Sequence, residues 1–260
     1  MRRVEDAGAP PSGRLLPAAV DPALREGLVG AVRFPGDPRL RPDHYVAELA
    51  RVVRQLGGEI IEQCPVDAIT ESRERSEVAA GGRRFSARDV VIATGAWSGP
   101  LGRALGLRAL GRANQPGKGY SISYTRPQPA PRQPIVLFER SICVTTWDSG
   151  YRLGSTMEFS GYDTRLTPRR LAALERGAGE YLHAPVGAEK REEWFGWRPL
   201  TWDDMPIIGR MPGRDRLWLA TGHGMMGVSM SVATARLLDE LMTGKTPHLD
   251  PAPYAMERFA

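Results

Sequence analysis

Between a short apolar run at residues 216–221 and a helical run at residues 228–242 lies Gly222-His223-Gly224-Met225-Met226-Gly227. This is the G-x-G-x-x-G spacing that opens a nucleotide-binding βαβ unit. Its place in the chain forbids that unit. Only about sixteen Pro-rich residues follow the helix, with no second parallel strand and no strand-end acid roughly twenty residues on. What remains is a strand, a tight turn and a closing helix that stops at Gly244. Glycines at this spacing let a backbone approach a ligand, and the N–H groups that open the following helix favour negative charge. A tight turn packed into a core would use the same residues, and a lone histidine such as His223 more often hydrogen-bonds backbone than performs acid–base work.

The segments upstream show two kinds of layer. Residues 1–22 are rich in Pro, Gly, Ala and Arg without an apolar period, which predicts a loose arm, with order beginning near Leu24. From Pro42, the residues Val46, Leu49, Ala50, Val53 and Leu56 recur at helical spacing and Gly57-Gly58 stops the run, so an amphipathic helix is expected. Strands are predicted over residues 59–63, 66–70, 78–80 and 83–85, the last two joined by a Gly81-Gly82 hairpin turn. Residues 89–94 read as a buried strand ended by Gly95. Together these make an α/β unit. Strand-like segments at 120–124, 135–139, 142–146 and 151–155, broken by a Pro-rich stretch at 126–134, predict an antiparallel sheet instead. Thr167 and Pro168 then open a helix with Leu171, Leu174, Ala178 and Tyr181 along one face.

Composition excludes several classes. The chain has 35 Lys+Arg against 30 Asp+Glu, but its arginines are scattered, with pairs starting at Arg2, Arg83 and Arg169 the densest points. No nucleic-acid groove is signalled, although small anionic substrates would be drawn to such a surface. Cys64 and Cys143 stand apart without a Cys-x-x-Cys or nearby His pair, so no metal site and no redox dithiol is read, and a reducing compartment is the simpler setting. There is no signal-peptide apolar region and no apolar run of bilayer length, so no transmembrane segment is expected and the location expected is cytoplasmic.

Four motifs occur in a fixed order: Val90-Val-Ile-Ala-Thr-Gly-Ala-Trp97-Ser98, Gly196-Trp-Arg198-Pro-Leu-Thr-Trp-Asp-Asp-Met-Pro206-Ile-Ile-Gly209, Thr221-Gly-His-Gly-Met-Met-Gly227 and Pro253-Tyr-Ala-Met-Glu-Arg258-Phe259. From about Leu24 to Ala260 the chain resembles the superfamily of D-amino-acid oxidase, glycine oxidase and D-amino-acid dehydrogenase, the dehydrogenase branch most. The second and third motifs together carry the likeness. Ala-Thr-Gly alone is common among flavoproteins.

The resemblance implies an α+β fold: an incomplete FAD-binding α/β domain of glutathione-reductase type, with an antiparallel-sheet substrate domain. It places the substrate domain at residues 23–37 and 114–200 and the remainder of the FAD-binding domain at 38–113 and 201–260. The implied cofactor is FAD. The implied reaction is oxidation of a D-amino acid or related amine by hydride transfer from Cα to flavin N5, giving an imine and then an oxo acid.

Residue by residue, Arg198 matches the arginine that clamps the substrate carboxylate, a task suited to a planar two-pronged donor. Tyr120, after Pro116-Gly-Lys-Gly119, is a candidate for the substrate pocket along with Tyr124, though core packing explains either equally well. Val66 matches a backbone position that meets the adenine. Ala93, Thr94, Gly95 and Trp97 match the strand end over the cofactor. Gly222, His223, Gly224, Met225, Met226 and Gly227 match the turn facing the isoalloxazine. The family's opening strand and its true G-x-G-x-x-G have no counterpart in these residues. The expectation is therefore of an N-terminally truncated FAD-dependent oxidoreductase, the alternative being an inactive remnant or a subunit served by a separate polypeptide that carries the missing segment.

Overall fold

The computed structural model describes residues 20–34, 36 and 39–259. The described residues divide into two compact units, one from the described residues up to 39 with 119–156 and 164–195, the other from 40–118, 157–163 and 196–259. Most of the arm expected over residues 1–22 lies outside the described residues.

Along the chain come α1 (Pro42–Gln55), β1 (Val66–Glu71), β2 (Ser76–Ala80), β3 (Arg83–Ala87), β4 (Val90–Ile92), α2 (Ser98–Ala104) and α3 (Arg108–Ala113). Then follow β5 (Asn114–Tyr124), β6 (Ile135–Leu137), β7 (Ile142–Trp147), β8 (Gly150–Glu158) and α4 (Pro168–Gly179). The last elements are β9 (Lys190–Thr201), β10 (Ile207–Arg210), β11 (Leu217–Thr221) and α5 (Gly227–Thr243), with 3-10 turns at Ala252–Tyr254 and Met256–Phe259. The fold is α+β, as the resemblance implied.

The first unit contains β6, β7, most of β8 and the parts of β5 and β9 at residues 119–124 and 190–195, strands of a sheet of order β6-β7-β8-β5-β9 in which β6, β7 and β8 pair antiparallel. Strand alternation decides its faces. Ile142, Val144 and Thr146 of β7 point inward while Cys143 points out. Helix α4 buries Leu171, Leu174, Gly177 and Ala178, the spacing that one helical face requires. Gly177 lets the helix lie close, because a Cβ there would come within 2.5 Å of Ile142 Cδ1. Ile122, Val144, Leu153 and Leu174 in this core are fully buried, each contributing about 1.5–3 kcal/mol of transfer free energy. The chain joins this unit at Leu24, which is buried and bridges to Leu182.

In the second unit, β1-β2-β3 form a meander whose Gly81 and Gly82 take φ of +54° and +75°, the left-handed pair that a two-residue hairpin demands. A second small sheet has the order β10-β11-β4, with β11 antiparallel to β10 and parallel to β4. Ile92, Leu110, Ile207, Leu219 and Met256 pack together beside it.

Three expectations change. Residues 59–63 form no strand, and Ile60 and Ile61 are each 37% exposed: an apolar run becomes a strand only where a neighbour pairs with it. The strand expected over 89–94 shortens to Val90–Ile92, with only Ile92 buried. Thr167 stands at the N-cap of α4 but makes no side-chain cap; its hydroxyl accepts a hydrogen bond from Tyr120 instead. Strands β9 and β10 and helices α2 and α3 were not foreseen.

Candidate functional site

The second unit brings three of the quoted motifs together. Parallel pairing of Leu219 with Ile92 sets the carboxyl ends of β11 and β4 side by side, the end of a parallel pair at which α/β proteins bind ligands. A hydroxyl chain fastens these ends. Thr94 Oγ1 lies 3.0 Å from Ser98 Oγ, which lies 2.7 Å from Thr221 Oγ1, which donates to the Gly95 carbonyl at 3.2 Å. The segment holding Ala93, Thr94, Gly95 and Trp97 therefore adjoins the start of the glycine turn.

That turn has Gly222 at φ +78° and Gly224 at φ +54°. The N–H of Gly224 donates to the Pro199 carbonyl at 2.8 Å, which sets the turn directly beside the residue after Arg198. His223 Nε2 lies 2.9 Å from Thr234 Oγ1, tying the turn to α5, and burial pushes the His223 imidazole pKa down. Met225 and Met226 are exposed, and α5 starts at Gly227 with no side-chain cap on its first turn.

Arg198 is half-buried on β9, its Nη1 4.0 Å from Met157 Sδ. Pro199 is tolerated in this strand because β9 lies at the edge of its sheet, where a missing N–H breaks no ladder. A β-carbon on Gly117 would meet Leu200 Cδ1 at 2.5 Å and Met157 Sδ at 2.6 Å. Trp197 stacks edge-on against Trp97 and Tyr162, with ring centroids 5.7 and 5.4 Å away, and the Tyr162 hydroxyl donates to the Ala96 carbonyl. The aromatic trio thus ties the residues after β4 to the strand that carries Arg198.

Residues 1–241 match the family described as DAO, FAD dependent oxidoreductase. The chain belongs to this family. It is 32% identical over 238 residues to a glycine oxidase of Pseudomonas putida, which covers 91% of this chain and 64% of that protein. It is 30% identical over 255 residues to a D-amino acid dehydrogenase of Xanthobacter autotrophicus, covering 96% of this chain and 59% of the other. The structure of glycine oxidase from Geobacillus kaustophilus superposes with a TM-score of 0.80 at 27% identity, covering 90% of this chain and 63% of that one. The chain thus spans about three fifths of the length of the relatives it matches. None of these comparisons supports a separate partner polypeptide.

Within this DAO-family chain, the other expected site residues stand elsewhere. Val66 opens β1, on a different sheet from β4 and β11. Tyr120 and Tyr124 belong to the first unit. Tyr120 is 1% exposed inside its core, its hydroxyl donating to Thr167 Oγ1 at 2.9 Å, and Tyr124 donates to Glu175. Among the described residues no cluster of His, Cys, Asp or Glu could hold a metal ion, and no helix is long and apolar enough to cross a membrane.

The family's cofactor can be tested against this geometry. The glycines of the turn are explained from inside the protein. A Cβ on Gly222 would come within 2.6 Å of Thr201 Cγ2, and one on Gly224 within 2.8 Å of Asp204 Oδ1. What fits a flavin is the open side. Nothing lies within 4 Å of a Cβ on Gly95, and the opening N–H groups of α5 have no side-chain cap. Those amides suit the pyrimidine end of a flavin, which becomes anionic on reduction.

Sequence reasoning missed Tyr162 and the pairing of Asp203 with Arg258. Arg258 stood in a quoted motif, and its spacing from Asp203 carries no signal. Only the fold joins them.

Proposed function

We propose that this chain contributes the substrate-clamping and flavin-facing part of an FAD-dependent oxidoreductase acting on a D-amino acid or a related amine. The observation that carries the reading is the Gly224 N–H to Pro199 carbonyl bond, which couples the turn to the strand of Arg198. Arg198 holds the substrate carboxylate through a two-pronged donor set. The segment Ala93, Thr94, Gly95 and Trp97 and the turn Gly222, His223, Gly224, Met225, Met226 and Gly227 face the cofactor, and the α5 amides favour its electron-rich state. When bound, flavin supplies acceptance of a hydride from Cα at N5, leaving an imine that water hydrolyses to an oxo acid. Holding Cα and its amine in orientation is the protein's part, and no side-chain base is required for it. We assign the substrate domain to residues 23–37 and 114–200 and the flavin-binding remainder to 38–113 and 201–260, with Val66 near the adenine. Tyr120, with its hydroxyl engaged by Thr167, supports the sheet from within its core and does not touch the substrate.

In the flavin-loaded enzyme, Arg198→Lys replaces a planar fork with a point charge. A lost charged hydrogen bond of ~1.5–3 kcal/mol corresponds to a fall in kcat/KM of about tenfold to a hundredfold, carried mostly by KM. Flavin content, read from the visible spectrum, should not change. An unaltered kcat/KM removes Arg198 from the clamp.

A further inference from the structure

The quoted motif that the proposed function leaves unused is the last one, which contains Arg258. Its side chain, 17% exposed, is surrounded by acceptors. Nε donates to Asp203 Oδ2 at 2.6 Å, and Nη2 donates to Asp203 Oδ1 at 3.3 Å, to the Met205 carbonyl at 2.6 Å and to the Pro206 carbonyl at 3.2 Å. Nη1 donates to the Ala255 carbonyl at 2.9 Å, so the guanidinium is fixed to its own turn as well. These bonds hold the outer side of the loop that links β9 to β10.

The inner side of the same loop touches the glycine turn. Besides Thr201, a Cβ on Gly222 would meet Pro206 Cα at 3.7 Å, and Asp204 is the residue that closes on Gly224. Asp204 itself takes φ +57°, a left-handed turn conformation that aspartate tolerates. Thr201 Oγ1 donates to the Met205 carbonyl at 2.8 Å, and the Met205 N–H donates to Asp203 Oδ1 at 3.1 Å. The loop is therefore braced by Arg258 from one side and is in contact with the turn on the other.

We propose that Arg258, acting through Asp203 and the carbonyls of Met205 and Pro206, is a positioning residue that holds the backbone of Gly222 and Gly224 against Pro199, next to Arg198. What the turn and Arg198 then do rests on the proposed function. The coupling itself does not. A lysine at position 258 keeps the charge but reaches Asp203 alone, so it leaves the two carbonyls without their shared donor.

Hydrogen exchange on the whole chain tests this without any cofactor. In Arg258→Ala and in Arg258→Lys, amides of residues 200–205 and 222–227 should exchange about tenfold faster, while β7 and α4 stay as in the wild type. Acceleration confined to residues 252–259, or spread evenly over the chain, overturns the proposal. Should the alanine variant fail to fold, Arg258→Lys and Asp203→Asn carry the same measurement. In the flavin-loaded enzyme Arg258→Lys should lower kcat about tenfold at unchanged KM, the opposite split to Arg198→Lys. Faster exchange with an unchanged kcat upholds the coupling and overturns the function proposed for the turn. Unchanged exchange overturns the coupling whatever the kinetics show.

Discussion

A β-carbon added at Gly187 would stand 1.8 Å from the Thr125 carbonyl oxygen and 2.8 Å from its carbonyl carbon. The clash is with backbone, and the backbone is tied. The Thr125 N–H donates to the Glu189 carbonyl at 2.9 Å, and the Glu189 N–H donates to Thr125 Oγ1 at 3.0 Å. Gly187→Ala should therefore destabilise the chain by about 3 kcal/mol or more, read from urea unfolding. A wild-type midpoint would mean that residues 187–189 swing aside freely. Legibility at this scale followed chemistry, not importance. Arg198 could be picked out because a residue type with a specific task stood in an ordered motif. Gly187 and Tyr162 could not, since each owes its role to a neighbour distant in sequence: Thr125 for the glycine, Ala96 and Trp197 for the tyrosine.

At the scale of elements, helices were legible wherever one face repeats. The expectation for α5 differed from the structure by one residue at each end because Gly227 and Gly244 bracket an apolar period. Strand β9 escaped notice because Gly196 and Pro199 read as breakers and its first residues are charged, although an edge strand accepts both. The end of α5 is also where acid should act. Glu240 receives His248 Nδ1 at 2.7 Å, the His248 N–H at 2.8 Å and Arg236 Nε at 2.8 Å. These bonds, His248 first, bring its carboxyl pKa from 4.5 down to about 2. A carboxylate more acidic in the folded than in the unfolded chain adds stability above the unfolded value, and loses it as pH falls through the window from 4.5 to about 2. Glu240→Gln should therefore flatten the decline of Tm as pH falls from 4.5 towards about 2. Parallel curves for variant and wild type would show that the carboxylate is not what latches residues 244–248 to the helix.

The whole molecule settles a question that periodicity leaves open, namely which faces are covered. Helix α1 was legible from Val46, Leu49, Val53 and Leu56, and an apolar stripe in a sequence promises a partner surface. Among the described residues α1 buries none of its side chains: Val46 is 60% exposed, Leu49 47% and Val53 42%, and Leu56 at its C-cap is 82% exposed. Its visible fastening is polar, with Tyr45 Oη 2.9 Å from Ser231 Oγ on α5. Four aliphatic side chains three and four residues apart form one continuous stripe, and stripes of that kind bind apolar dyes and drive self-association. The chain should therefore bind anilinonaphthalene sulfonate with strong fluorescence in its folded state. Replacing Val46 and Val53 together with glutamate removes the first and third members of the stripe without touching a buried side chain. Far-UV circular dichroism should be unchanged while dye fluorescence falls about severalfold and self-association at high concentration declines. Undiminished fluorescence in the folded double variant would place the dye elsewhere, for example at the exposed Met225 and Met226, and would show that α1 is covered in solution.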